Sequence, residues 1–123
     1  MTVRRLPPLT VALALGAALV LAGCGGDGGG NGGADAAPVT GVTQVTAKNT
    51  RFTPAAIQVP AGTEVTWTFK DGFVPHDVAG DGFGSGDPRR KGSFTHTFDR
   101  PGTYPYRCTI HGNMTGRVVV TGS

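Results

Sequence analysis

Two runs of the chain alternate apolar and polar side chains at a period of two, and this alternation restricts the folds open to the chain. In the first run, Val65, Trp67 and Phe69 alternate with polar residues, and in the second, Phe94 and Phe98 do the same. Such a pattern is typical of strands with one buried face. No stretch of helical length carries an apolar stripe at the 3.6-residue period, so we expect an all-β fold.

Other short apolar runs extend this pattern along the chain. They lie near residues 42–47, 56–59, 104–108 and 117–121. Turn residues separate the runs, at positions 60–62, 70–72, 80–82 and 101–102. Many short strands at this spacing are typical of a two-sheet sandwich. We therefore predict a Greek-key β-sandwich of about seven to eight strands over residues 39–123.

The amino-terminal segment has the pattern of an export signal. After Arg4 and Arg5, residues 11–22 are apolar or small, which is too short to span a bilayer but suits the core of a signal peptide. The segment ends in Leu21-Ala22-Gly23-Cys24, which resembles the bacterial lipobox, in which the cysteine is lipidated. We expect residues 1–23 to be a lipoprotein signal peptide, and the exported protein to be anchored through Cys24 on the extracytoplasmic side of the membrane. The alternative is an ordinary signal peptide in which Cys24 is an incidental thiol.

A glycine-rich segment follows Cys24. Residues 25–33 are glycine except for Asp27 and Asn31. Such a composition offers little side-chain surface to bury. Residues 24–38 are therefore predicted to form a flexible tether to the folded domain.

Charge and cysteine content exclude several classes of protein. The charged fraction is 15% and the formal net charge is +3, so neither a disordered polyelectrolyte nor a nucleic-acid-binding protein is favoured. The chain has 2 cysteines, too few for a disulfide framework. We expect a monomer that binds no nucleic acid.

The carboxyl-terminal part of the domain contains a metal-binding motif. Cys108, His111 and Met114 have the spacing Cys-x2-His-x2-Met, and His76 lies upstream. Thiolate and thioether ligands suit Cu(I), and imidazole also accepts Cu(II). Zinc competes for cysteine and histidine, but closed structural zinc sites usually use at least two cysteines.

These residues and their context resemble the cupredoxins, the blue copper family of plastocyanin, azurin and amicyanin. The similarity is carried by residues 102–120 and by residues 75–78, and it extends over about residues 39–121. It implies one type 1 copper per chain, with His76, Cys108 and His111 as equatorial ligands and Met114 as the axial ligand. It further implies that the backbone N–H of Asp77 donates a hydrogen bond to the Cys108 sulfur.

The chain departs from the family pattern at three positions. Ile110 and Gly112 flank His111, where related loops often carry prolines. Asp77 stands where many members have asparagine. A negative charge at this position is expected to favour Cu(II) and to lower the reduction potential.

The resemblance implies an electron carrier with a redox protein as its partner, and not an enzyme. A cell-surface lipoprotein that binds or handles copper without transferring electrons is the alternative. A sandwich with a purely structural or interaction role would need no metal. Multicopper oxidase and nitrite reductase activities would need further histidine-rich sites, and the chain has 3 histidines.

Two other features of the sequence lie outside the metal-binding motif. His96 shares the parity of Phe94 and Phe98, so we expect a structural, partly buried side chain. The residues Arg89, Arg90 and Lys91 are predicted to lie in a solvated turn. Docking of an acidic redox partner is the alternative role for this basic trio.

Overall fold

The computed structural model of the protein describes residues 33–122. The predicted signal peptide, the predicted lipidation site at Cys24 and most of the predicted tether lie outside the described residues, and they stay predictions. Within residues 33–122, the only helical segment is a 3-10 turn over Gly33–Asp35. No helix in this part of the chain is long and apolar enough to cross a membrane.

Ten strands build the described domain. They are β1 (Val39–Thr40), β2 (Gln44–Lys48), β3 (Arg51–Thr53), β4 (Ala56–Pro60), β5 (Thr63–Lys70), β6 (Ala79–Gly80), β7 (Phe83–Gly84), β8 (Lys91–Phe98), β9 (Gly102–Arg107) and β10 (Thr115–Thr121). One sheet has the order β1-β4-β10-β9-β6-β7 and the other the order β3-β2-β5-β8. The predicted β-sandwich is confirmed. The strand number exceeds seven to eight because β1, β3, β6 and β7 have only two or three residues each.

The core lies between the two sheets and is centred on Trp67. Its indole is fully buried, with Phe94 at 5.5 Å and Tyr106 at 5.3 Å between ring centroids. In β5 the buried residues are Val65, Trp67 and Phe69, as the alternation predicts. Aromatic pairs of this kind contribute about 0.5–1.5 kcal/mol beyond the burial of their area.

The strand order brings the predicted metal ligands to one end of the sandwich. β9 and β10 are antiparallel neighbours, and residues 108–114 form the loop that joins them. The backbone N–H of Cys108 donates to the carbonyl of Met114 at 2.9 Å, and the N–H of Met114 donates to the carbonyl of His111 at 3.0 Å. These bonds fix both ends of the ligand loop.

The last residues of the predicted tether contact the sandwich beside this loop. The backbone N–H of Ala34 donates to Thr115 Oγ1 at 3.1 Å, and the guanidinium of Arg117 donates to the carbonyl of Ala36 at 2.9 Å. Thr115 directly follows Met114. The chain therefore enters the described domain next to the ligand loop.

Candidate metal centre

Three of the predicted ligands converge in the structure. One candidate ligand atom from each of His76, Cys108 and His111 lies within 4.8 Å of the other two. Cys108 Sγ is 3.4 Å from His111 Nδ1, and the two histidine rings are 4.9 Å apart between centroids. These three side chains can bind a single metal ion.

The state of His76 shows that the group fits a metal. Its side chain is fully buried, and its Nδ1 atom has no hydrogen-bond partner. A buried polar atom without a partner costs about 1–3 kcal/mol. The other ring nitrogen, Nε2, lies 3.1 Å from Asp71 Oδ2. Since an ionised carboxylate only accepts hydrogen bonds, we assign the proton to Nε2, which leaves the Nδ1 lone pair for a metal.

Asp71 is a residue of the site that the sequence did not identify. Besides the bond from His76, its carboxylate accepts backbone N–H groups from Asn49, Phe73 and Val74. The bond with His76 is the main cause that holds the pKa of Asp71 below its ordinary value. A carboxylate bonded to the second nitrogen of a ligand histidine fixes the tautomer and the orientation of the ring. The only signal in the sequence was an acidic residue five positions before His76, in a segment interpreted as a turn.

Cys108 supplies a buried, reduced thiol. Burial raises the pKa of this thiol, whereas backbone hydrogen bonds from Asp77 and Ile110 lower it. The expected hydrogen bond from the Asp77 N–H to the sulfur agrees with this effect and stays a prediction. A metal ion would bind the thiolate and displace the proton.

The carboxylate of Asp77 is held by the ligand loop. Thr109 donates its backbone N–H to Asp77 Oδ1 at 2.7 Å and its hydroxyl to Oδ2 at 2.6 Å. Asp77 is 4% exposed, so its carboxylate is poorly solvated. Thr109 is the second contributor that the sequence did not identify.

Met114 and His111 differ in exposure. Met114 is buried, whereas His111 is partly exposed. The axial role of Met114 stays a prediction. Near His111, Ile110 is 47% exposed, and Phe73, three residues before His76, is 92% exposed.

The segment of Arg89, Arg90 and Lys91 differs from the predicted solvated turn. Arg89 forms an isolated antiparallel bridge with His76, through backbone bonds of 3.0 and 2.9 Å. Lys91 begins β8. The guanidinium of Arg89 donates to the carbonyl of Ser85 at 2.7 Å and lies 5.5 Å from the centre of the Phe69 ring. Arg89 therefore supports the backbone of the predicted ligand His76, and of the three basic residues only Arg90 and Lys91 are exposed.

His96 lies away from the metal ligands. Its ring is partly buried and stacks on the ring of Phe83, with 5.1 Å between centroids. The ring of Phe98 meets it edge-on, with 4.7 Å between centroids. The expectation of a structural, partly buried histidine is confirmed.

A family model described as the PKD domain matches residues 36–117, so the chain belongs among the sequences that this model describes. The match covers most of the sandwich and includes all four predicted ligands. Its description names no metal. The function of the buried ligand group is instead indicated by the relatives and the solved structures that resemble the chain.

Amicyanin-alpha of Methylorubrum extorquens is 35% identical over 87 residues, which cover 63% of this chain and 70% of the amicyanin. A purple cupredoxin from Nitrosopumilus maritimus aligns with a TM-score of 0.58 and 30% identity, over 65% of this chain and 100% of the cupredoxin. The Cu(I) form of an amicyanin variant also aligns with a TM-score of 0.58 and 30% identity, over 72% and 90% of the two chains. From these similarities and from the group formed by His76, Cys108 and His111, the chain belongs to the cupredoxins and binds one copper ion.

Proposed function

We propose that the protein is a type 1 (blue) copper electron carrier in which His76, Cys108 and His111 are the equatorial ligands and Met114 is the axial ligand. The single observation that carries this proposal is the convergence of buried His76, buried Cys108 and partly exposed His111, with an unpaired Nδ1 on His76. When bound, copper supplies a one-electron couple between Cu(II) and Cu(I). No substrate bond is made or broken, so the proposed function is not that of an enzyme.

The protein contributes a rigid ligand set. Asp71 orients His76, the bridge with Arg89 fixes its backbone, and two backbone bonds close the ligand loop. Ligands that are held in this way move little when the charge of the metal changes. A small rearrangement favours fast electron transfer.

The partly exposed His111 offers the route for the electron. The other ligands are each at most 1% exposed, so a partner would approach the metal most closely at the His111 ring. The exposed apolar residues Phe73 and Ile110 flank this end of the molecule. A surface with apolar side chains can dock a partner briefly without strong binding.

An optical and EPR spectrum of the copper-loaded protein tests the assignment. We expect an intense visible absorption band toward the red end of the spectrum, which Cys108→Ser and His111→Gln abolish or strongly weaken. His96→Gln is the matched control, because His96 packs on Phe83 and Phe98 away from the ligands. A band that survives in Cys108→Ser would contradict the proposal.

A copper-handling role would use the same ligands but require exchangeable metal. The burial of His76, Cys108 and Met114 supports a retained cofactor. We therefore expect slow loss of copper to an excess of chelator, over a time much longer than one electron exchange. Rapid and complete transfer to the chelator would favour the copper-handling role.

We further propose that the carrier is exported and anchored by a lipid on Cys24 at the outer face of the cytoplasmic membrane. The lipobox-like sequence supports this proposal. In a bacterial host, we expect the full chain to partition into detergent and to incorporate a labelled fatty acid. Cys24→Ala should abolish both properties, and a lipid-free wild-type chain would overturn the proposed anchor.

A further inference from the structure

Basic side chains meet at one edge of the four-stranded sheet. Ala47 of β2 and Phe69 of β5 are partners in a parallel pair, so the next residues along the two strands are Lys48 and Lys70. Lys70 is in turn the antiparallel partner of Lys91 in β8. All three lysines are exposed. Lys48 and Lys70 each follow a buried residue, and Lys91 lies directly opposite Lys70 on the same face, so the three are on the outer face of the sheet. With Arg90, which precedes Lys91 and is also exposed, they form what we call the basic row.

The basic row is electrostatically unfavourable within the isolated molecule. Lys70 and Lys91 are directly opposite, and like charges in this position destabilise a sheet. None of the four side chains makes an ion pair within residues 33–122. A ligand with negative charge would relieve this repulsion.

The surroundings of the row carry the excess positive charge of the protein. Residues 48–51, 69–73 and 87–91 contain six basic and two acidic residues, a net charge of +4. The whole chain has a net charge of +3, so the remaining residues together have −1. One of the two acids, Asp71, already accepts four hydrogen bonds.

The basic row also flanks the metal centre. Lys70 precedes Asp71, whose carboxylate is bonded to His76. Arg90 follows Arg89, which forms the backbone bridge with His76. Lys48 precedes Asn49, whose N–H donates to Asp71 Oδ2 at 3.1 Å. An anionic surface on the row would thus lie beside the end of the molecule where the ligand histidines are.

We propose that the basic row is the docking surface for a redox partner protein with an acidic face; this inference rests on the proposed electron-transfer function. Complementary charge accelerates the encounter and orients the partner. An anionic bilayer carries the same kind of charge. It would place lipid headgroups, and no electron donor or acceptor, beside the histidines, so the geometry favours a protein.

Electron exchange with charged small molecules tests the surface directly. Ferricyanide, a trianion, takes one electron from the reduced protein and becomes ferrocyanide, while Cu(I) becomes Cu(II). Tris(phenanthroline)cobalt(III), a trication, takes one electron in the same way and becomes cobalt(II). A change in reduction potential alters both rates in the same direction, whereas a change in local charge alters them in opposite directions. The ratio of the two rates therefore isolates the effect of the basic row.

We expect Lys70→Glu and Lys91→Glu each to lower the ratio of the ferricyanide rate to the cobalt rate by about threefold or more at 0.1 M salt, because steering changes association rates by about 10- to 1,000-fold. The matched control is Arg100→Glu, an equal change of charge beyond the far end of β8. β8 is about 23 Å long at 3.3 Å per residue, more than the Debye length of about 10 Å. The difference in rate ratio between the row variants and the wild-type protein should disappear near 1 M salt.

Poly-L-glutamate provides a carboxylate surface without redox chemistry. We expect it to slow the ferricyanide reaction of the wild-type protein and of Arg100→Glu, and to have little effect on the two row variants. An equal ratio in all four proteins would overturn the docking surface. So would row variants that lose binding to anionic vesicles while their rate ratio is unchanged, because that result indicates a membrane-binding surface.

Failure of the docking surface can be told apart from failure of the proposed function. A copper-loaded wild-type protein that exchanges no electron with either probe overturns both. A protein that reacts with both probes without discriminating between their charges overturns the docking surface alone.

Discussion

At the scale of single residues, Asp71 and Asp77 act on different members of the ligand group. Asp71 is partly buried, and its carboxylate bonds to the ring of His76. Asp77 is buried, and its carboxylate accepts two hydrogen bonds from Thr109, the residue after Cys108. One carboxylate fixes the geometry of a ligand, and the other places a charge near the metal.

The role of Asp71 predicts a loss of metal affinity on substitution. Removal of a carboxylate behind a ligand histidine typically lowers affinity by about 10- to 100-fold. We expect Asp71→Ala to lower the copper affinity by an amount in this range and to change the EPR spectrum of the bound copper. Asp71→Asn should lose less, because its amide oxygen can still accept the His76 proton. Asp81→Asn, at an exposed turn, is the control, and unchanged affinity in Asp71→Ala would contradict this role.

Asp77→Asn is expected to raise the reduction potential of the copper. The substitution leaves the backbone N–H of residue 77 in place and removes one negative charge, which favours Cu(I). The rise should be on the order of tens of millivolts. For a one-electron couple, about 59 mV corresponds to a tenfold change in the equilibrium constant between the two oxidation states. A redox titration measures it. A fall in potential, or a rise of equal size in Asp81→Asn, would count against a local effect of the charge.

At the scale of elements, close packing between β9, β10 and the segment before β4 supports the ligand loop. A Cβ atom on Gly116 would lie 2.5 Å from the Tyr106 ring and 2.8 Å from the backbone oxygen of Ala55. Gly112, within the loop, has nothing within 4 Å of the same position. A methyl side chain would therefore fit at Gly112 but would clash at Gly116.

Gly116→Ala is expected to destabilise the metal-free protein by about 1–3 kcal/mol, because overpacking displaces neighbouring atoms. Gly112→Ala should leave the free energy of unfolding nearly unchanged or raise it slightly, since it restricts the unfolded chain. Urea unfolding of the two variants gives both values. Equal stability of Gly116→Ala and the wild-type protein would show that Tyr106 and the backbone can move apart at little cost.

The longer strands could be predicted from sequence, because each buries one alternating face. β5 and β8 contain the alternating runs of Trp67 and Phe98. β6 and β7 have two residues each, too few for a period to be detected, and they form only through pairing with each other and with β9. Elements that depend on partners distant in sequence leave little local pattern.

The residues of the candidate site also differ in how well the sequence predicts them. Cys108, His111 and Met114 have a fixed spacing within one loop, and His76 was assigned through the family resemblance. Asp71 contacts His76 from five residues upstream in the same loop, and Arg89 contacts it from another segment. The loop conformation that brings Asp71 back to His76, and the pairing of Arg89 with His76, follow no regular period, so little in the sequence indicated either role.

At the scale of the whole molecule, residues 33–36 extend the packed structure toward the amino terminus. Ala34 and Ala36 bond to Thr115 and Arg117, both in β10, and Arg117 also donates its backbone N–H to Ala55. β10 lies in the middle of the six-stranded sheet. These contacts link the amino-terminal segment to a central strand.

A chain that begins at Val39 is therefore expected to be less stable than one that begins at Gly33. The shorter chain lacks two hydrogen bonds, each with a net contribution of about 0.5–1.5 kcal/mol, so we expect a loss of about 1–3 kcal/mol. Urea unfolding of the two metal-free chains measures the difference. Equal stability would show that water replaces both bonds without cost.

The entry of the chain beside Thr115 limits how the protein can search for a partner. Eight residues separate Cys24 from Gly33, and a fully extended chain spans at most about 3.6 Å per residue. With a lipid on Cys24, Gly33, where the described domain begins, would stay within roughly 30 Å of the bilayer. Encounters would then take place by lateral diffusion in a thin layer above the membrane, and the copper would meet the partners that share that layer far more often than proteins in the surrounding solution.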